Sequence, residues 1–191
     1  MAIKELRPIY QIKIILTGIK PPIWRRVKVH SSIRLDVLHQ VIQSSMGWLG
    51  YHLHQFEKDG VFYGVLNDDF EIDFTPEVND ERNYKLSDIL KSEKDSMGYD
   101  YDFGDDWQHK IIVEKILPFE PSAEFAICIK GVRACPPEDC GGEWGYQNLL
   151  DAISNPSHSE YEEKLEWLGI PFDPKEFNLS ETNKLLAEIK P

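Results

Sequence analysis

Apolar side chains recur at every second position through most of the chain up to Val132, and at three- and four-residue spacing beyond Gly142. A period of two marks a strand with one buried face, and a period near 3.6 marks an amphipathic helix. Strands that come first and helices that come last predict an α+β fold. The sheet is expected to be mixed and mostly antiparallel, with one helix after the first strand pair and several C-terminal helices packed on it. With 191 residues and 41% hydrophobic content the chain can bury one well-formed core. That predicts a single domain over 1–191, with its core at about 8–169 and a helical extension at about 170–191.

Tyr10 to Thr17 carries Ile12, Ile14 and Leu16 on one face, and a second β-rich run, Ile23 to Val29, follows Gly18 and the stiff Pro21-Pro22 pair. Leu35, Leu38, Val41, Ile42 and Met46 trace one face of a helix from Leu35 to Met46, with Asp36 near its positive end and Gly47 placed to stop it. His52 to Glu57 and Val61 to Val65 flank Lys58-Asp59-Gly60, whose Asp-Gly step suits a hairpin. Asn67 to Asn83 is polar, acidic and contains Pro76, which predicts a long loop before a short helical turn at Leu86 to Leu90.

Phe125 to Val132 predicts one more strand, and Ala134 to Gly142, with two prolines and two glycines, a shaped loop. Helices are expected at Tyr146 to Ile153 and at Glu160 to Leu168, the second entered through a Ser157/Glu160 capping box. A last short helix after Ser180 carries Leu185, Leu186 and Ile189.

The densest chemistry lies between Tyr99 and His109, where four carboxylates, four aromatic rings and one imidazole fall within eleven residues. Two strand arms meeting at Gly104-Asp105-Asp106 would put Tyr99, Tyr101 and Phe103 on one face and Asp100 and Asp102 on the other. The crowded aspartates repel, which raises some of their pKa values unless a cation or a donor sits among them. The rings either form the core face of the sheet or make a platform for a ligand. His52 and His54, two apart, would emerge on one strand face as a metal pair or pack locally. Asp102-Phe103-Gly104 spells the magnesium signature of protein kinases, but the glycine-rich loop, strand lysine and catalytic loop of a kinase are missing.

The formal net charge of −12 disfavours nucleic acid as a partner. Trp24-Arg25-Arg26-Val27-Lys28 is the one basic run, and alternation splits it, sending Arg25 away from Arg26 and Lys28, so it reads as a solvated strand edge. No apolar run is long enough to span a bilayer and no secretion signal is evident, which predicts a cytoplasmic protein without a membrane partner. The odd count of three cysteines fits reduced thiols, and the four-residue gap between Cys135 and Cys140 is not that of a zinc knuckle. Glu138 and Asp139, in the proline-rigid loop, either aim at a pocket or cap a neighbouring turn.

Taken together, the run from Trp48 to Phe56, the Tyr-x-Tyr-Asp-Phe-Gly-Asp-x-Trp-x-His run from Tyr99 to His109, the Cys135-Pro-Pro-Glu-Asp-Cys-Gly-Gly loop and the closing Glu166-Trp167-Leu168-Gly169 resemble the plasmid pRiA4b ORF-3-like family. The resemblance spans about Tyr10 to Leu186. It implies a single α+β domain from bacteria or archaea, in some cases associated with mobile genetic elements, and it implies no particular activity. His52, His54, Asp102, Asp105, Trp107, His109, Glu138 and Asp139 fall within its motifs.

Two functions are therefore expected, and a third, a nucleic-acid-associated protein of a mobile element, is implied by the resemblance alone and runs against the charge. The first is a binding or interaction domain whose acidic-aromatic pocket, lined by Tyr101, Asp102, Asp105, Asp106, Trp107, Glu138 and Asp139, takes a small molecule or a protein. The second is a metal-dependent hydrolase in which His52, His54, Asp102, Asp105 and His109 hold a divalent metal, with Glu138 or Asp139 as the catalytic base.

Overall fold

The computed structural model describes residues 8–66 and 77–190. Its strands are β1 (Ile9–Leu16), β2 (Ile23–His30), β3 (His54–Lys58), β4 (Val61–Gly64), β5 (Val78–Asp80), β6 (Ser96–Tyr101), β7 (Trp107–Leu117) and β8 (Ala126–Val132). They form one sheet in the spatial order β5-β4-β3-β6-β7-β1-β2-β8. Among the described strands only the β4–β5 pair is parallel. The helices are α1 (Leu35–Met46), α2 (Leu86–Ile89), α3 (Gly142–Ser154), α4 (Tyr161–Leu168) and α5 (Leu179–Glu188). This is the expected α+β arrangement of a mostly antiparallel sheet with C-terminal helices. No described helix is long and apolar enough to cross a membrane.

Alternation decides which face of the sheet is buried. Ile12, Ile14 and Leu16 of β1 and Ile23, Val27 and Val29 of β2 face inward and lose nearly all contact with solvent. They meet Leu35, Leu38, Val41 and Ile42 of α1, the helical stripe legible in the sequence. At about 1.5–3 kcal/mol per fully buried aliphatic side chain, this layer is the main source of stability. Gly47 ends α1 with φ 96°, its amide donating to the Gln43 carbonyl at 2.8 Å, a backbone state that suits glycine. α5 rests against β8 and α1.

Arg25 is the exception in the inward row. It is 1% exposed. Its Nε donates to the Ser45 carbonyl at 2.7 Å and its Nη1 to the carbonyls of Trp24 and Val132, each at 3.0 Å. Its guanidinium lies 4.3 Å from the centre of the Phe177 ring. One buried side chain thus ties β2 to α1, β8 and the segment before α5. β2 is paired on both sides, so the expected solvated edge strand at Trp24–Lys28 is an interior strand.

Three other expectations are corrected. The loop expected at Asn67 to Asn83 lies outside the described residues as far as residue 76; after it the chain forms β5 and a single 3₁₀ turn at Glu81–Asn83, begun by Asp80, whose carboxylate accepts from the Arg82 amide. A three-residue strand leaves no alternation to read. The Ser157/Glu160 capping box does not form: α4 begins at Tyr161, the Glu160 amide donates to His158 Nδ1 at 3.1 Å, and the Ser157 amide donates to Asn155 Oδ1 at 3.0 Å. A nearer asparagine and histidine outcompete the longer-range pair. α5 starts at Leu179 rather than after Ser180, because the Asn178 side chain accepts from the Glu181 amide at 3.0 Å.

Candidate functional site

β6 delivers Tyr101 into the core and then ends, because Asp102 takes φ 57°, an unusual state for a residue with a side chain, which breaks the alternation. The Asp102 amide donates to the Leu53 carbonyl at 2.9 Å, which lays the hairpin end beside the approach to β3. Asp102 Oδ1 accepts from the Gly104 amide at 2.9 Å and the Asp105 amide at 3.3 Å, an Asx turn that leaves Oδ2 for other partners. That oxygen faces His52 Nε2 at 3.6 Å.

The Pro-rich loop arrives from the other side. Trp48 Nε1 donates to the Pro136 carbonyl at 2.9 Å, and its ring stacks near Tyr101 with centroids 5.1 Å apart. Glu138 Oε1 accepts from the Leu49 amide at 2.8 Å and from the Tyr101 hydroxyl at 3.0 Å. Burial first, and then the Glu138 carboxylate, hold the Tyr101 hydroxyl well above its ordinary pKa, so it remains a donor. Asp139, at φ 56°, brings Oδ1 to 3.1 Å from His52 Nε2, and Glu138 Oε2 is 4.0 Å away. The Gly141 amide donates to Asp105 Oδ2 at 3.1 Å, and a Cβ on Gly142 would lie 2.6 Å from the Asp105 carbonyl oxygen. Only glycine allows the two loops to approach so closely there.

The structure therefore brings His52, Asp102 and Asp139 into one cluster, with one ligand-type atom from each all within 4.8 Å of one another, and Glu138 beside it. His52 Nε2 is enclosed yet makes no hydrogen bond: Asp139 is close enough, but not in line. Leu49, Tyr51, Leu53 and Phe103, neighbours in sequence of the cluster or of its supports, are all more than half exposed. Exposed apolar side chains thus flank the acidic, imidazole-bearing cluster along the chain.

The other expected site residues lie elsewhere. His54 does not share a face with His52, because β3 begins only at His54 and the chain bends at residue 52. Its Nε2 meets Glu81 Oε2 at 2.8 Å in the interior, and its ring stacks on His39 with centroids 3.5 Å apart. His109 is buried with its Nδ1 donating to the Tyr99 carbonyl at 3.2 Å, which makes it a core residue. Trp107 is also core, stacked on Trp48 with centroids 6.0 Å apart. Phe103 departs from the buried row of Tyr99 and Tyr101 and is exposed. Asp105 serves the loop contact, and the exposed Asp106 carboxylate accepts from the Gln108 side chain. Asp100, on the outer face, has its pKa raised chiefly by burial, with the Asp106 and Glu57 charges adding. Burial and then Asp105 push the Cys140 thiol up to about 12, and burial pushes Cys135 up to about 11, so neither offers a thiolate at neutral pH.

The sequence reading missed His39, Glu81 and the Leu49 amide. Nothing in the polar segment around Glu81 signals an interior carboxylate. His39 sits on the polar side of a helix whose apolar stripe drew the attention.

Buried neutral histidines also set an acid limit. Burial first, then the neighbouring His54, lowers His39 to about 3, and burial lowers His109 to about 4. Both folded values lie below the unfolded value near 6.5, so the unfolded chain takes up protons that the folded chain refuses. Nothing is lost above pH 6.5, and below it each histidine costs about 1.4 kcal/mol per pH unit down to its folded value. Urea unfolding at pH 5.5 should therefore give a free energy about 2–3 kcal/mol below that at pH 7, and His39→Gln should remove roughly half of the difference. A pH-independent stability across this range contradicts the assignment.

The sequence pattern that defines the plasmid pRiA4b ORF-3-like proteins matches residues 8–181. The uncharacterized protein y4hQ of Sinorhizobium fredii is 34% identical over 182 residues, an alignment covering 95% of this chain and 92% of that protein. The crystal structure of the protein of unknown function MM3350 from Methanosarcina mazei Go1 superposes with a TM-score of 0.82 at 40% identity, covering 92% of this chain and 98% of that one.

Proposed function

The chain belongs to the plasmid pRiA4b ORF-3-like family, and from its three converging loops we propose a binding domain that holds a divalent cation between His52 Nε2, Asp102 Oδ2 and Asp139 Oδ1. The observation that carries this is the enclosed His52 Nε2, ringed by three carboxylates and lacking a hydrogen bond. Like charges gathered this closely raise the free energy of the folded state, and a cation reverses the sign of that term. One imidazole nitrogen with carboxylate oxygens suits zinc, manganese or ferrous iron, and suits calcium less well. Leu49, Tyr51, Leu53 and Phe103 form the apolar surface on which the rest of a cation-bound ligand packs. Equilibrium dialysis of untagged protein against Zn²⁺ or Mn²⁺ tests this reading. One tightly held ion per chain is expected, and a protein that takes up neither ion defeats it.

A second reading, metal-dependent hydrolysis, is favoured by the placement of Glu138. Three protein ligands leave room for water, and Glu138, fixed by Leu49 and Tyr101, is positioned to accept its proton. In this reading His52, Asp102 and Asp139 hold the ion and His54 has no part. Turnover of activated phosphate or carboxylate esters by the metal-loaded protein, lost in Glu138→Gln assayed at saturating metal, separates the enzyme from the binding domain.

A further inference from the structure

The outward face of the sheet carries a charge pattern that the net charge of −12 conceals. Strand register places Lys13 of β1 directly opposite Arg26 of β2, and Arg26 directly opposite Lys130 of β8. Three cations therefore line up across three adjacent strands. Lys28 and Lys110 extend the same face, since Lys28 lies two residues along from Arg26 and Lys110 pairs with Ile15. Like charges directly opposite each other destabilise a sheet. Glu114 offsets one of them, accepting from Arg26 Nη2 at 2.8 Å. Among the described residues no carboxylate lies within ion-pair distance of Lys13, Lys28, Lys110 or Lys130.

Beside the cationic row runs an apolar one. Ile15, Trp24 and Val132 are cross-strand neighbours, two residues further along their strands and on the same face. All three are half-buried, and Lys13 Nζ lies 4.7 Å, Arg26 Cζ 5.1 Å and Lys130 Nζ 5.9 Å from the centre of the Trp24 ring. Besides Glu114, which holds Arg26 within the patch, the outer-face carboxylates Glu57 and Asp100 stand on β3 and β6, across β7 from it. Charges further apart than about 8–10 Å are largely screened at physiological salt, so the protein's overall negative charge does not cancel a local row of cations.

We propose that the outward face of β7-β1-β2-β8 binds single-stranded nucleic acid. The phosphodiester chain runs across the strands along Lys13, Arg26 and Lys130, and the bases rest on the parallel row of Ile15, Trp24 and Val132. The two lysines now lie over the Trp24 ring, and on binding they turn to the phosphates and leave the ring to a base, which matches the two edges of a single strand. An acidic peptide would engage the cations but leave the apolar row unused. The face is distinct from the His52 cluster, so its failure leaves the proposed cation site untouched.

Fluorescence anisotropy with labelled oligo-dT and oligo-rU of about 20 nucleotides, read from about 50 to 200 mM salt, tests the proposal. With Arg26 held by Glu114, neutralising two phosphates at Lys13 and Lys130 gives a slope of log affinity against log salt of about −1.4. Lys13→Gln with Lys130→Gln should bring the slope close to zero and weaken binding at low salt at least tenfold. Trp24→Ala should weaken binding about tenfold with an unchanged slope. These positions face outward, and an unchanged circular dichroism spectrum and melting temperature confirm that the variants fold. A preference for oligo-rU over oligo-dT would identify RNA as the natural ligand, and equal binding a sequence-tolerant single-strand site. No binding to either oligonucleotide at the lowest salt, equal displacement by polyglutamate, or variants that bind like the wild type would overturn it.

Discussion

Replacing Arg25 with alanine will lower the unfolding free energy by about 3–5 kcal/mol, measured by urea denaturation at neutral pH. The carbonyls of Ser45, Trp24 and Val132 all lose a charged donor, the first of them in a buried contact. The truncation also removes the surface that covers Phe177. Arg25→Met restores most of the volume and none of the donors, so it should recover a minor part of the loss. Arg25→Lys keeps the charge but cannot reproduce the planar fork that reaches α1, β2 and β8 together, and should also fall short. An alanine variant within 1 kcal/mol of the wild type would show that this buried cation does not tie the elements together.

Asp102→Asn should weaken binding of Zn²⁺ or Mn²⁺ by roughly 100-fold or more while leaving the fold intact. The asparagine side-chain oxygen can still accept from the Gly104 and Asp105 amides, so the turn survives, and only the oxygen facing His52 changes character. Removing one of the crowded charges should leave the metal-free protein as stable as the wild type, or slightly more stable. A structural role for Asp102 predicts the opposite pair of results, with lowered stability and unchanged metal affinity. His52→Ala should lose binding to a similar extent. Glu138→Gln, which can keep its bonds to Leu49 and Tyr101, should lose about tenfold.

Elements with a repeating physical pattern were legible from the residues alone. The stripe from Leu35 to Met46 and the alternation in Ile9–Leu16 and Ile23–His30 each specify a buried face without help from the rest of the chain. What escaped depends on partners distant in sequence. β5 is held by parallel pairing to β4, and Glu81 earns its interior position from His54, 27 residues away. His52 and His54 looked like a pair because spacing of two implies a shared face, and that holds only within a strand; the chain bends before His54. The same holds for charge. Trp24 to Lys28 was correctly split by alternation, but the cations that complete the row come from β1, β7 and β8, and only strand register shows that they align. At the candidate site Asp102, Glu138 and Asp139 were legible as chemistry, while their orientation toward His52 follows from positive φ at Asp102 and Asp139 and from the Leu49 and Tyr101 donors to Glu138.

Anomalous diffraction from crystals grown with Mn²⁺ would locate a cation held between His52, Asp102 and Asp139. One strong anomalous peak is expected about 2.0–2.3 Å from His52 Nε2 and from an oxygen of each aspartate, with Asp139 drawn inward from its exposed position. Crystals whose anomalous peaks all lie elsewhere, with His52 Nε2 hydrogen-bonded directly to Asp139, would contradict it.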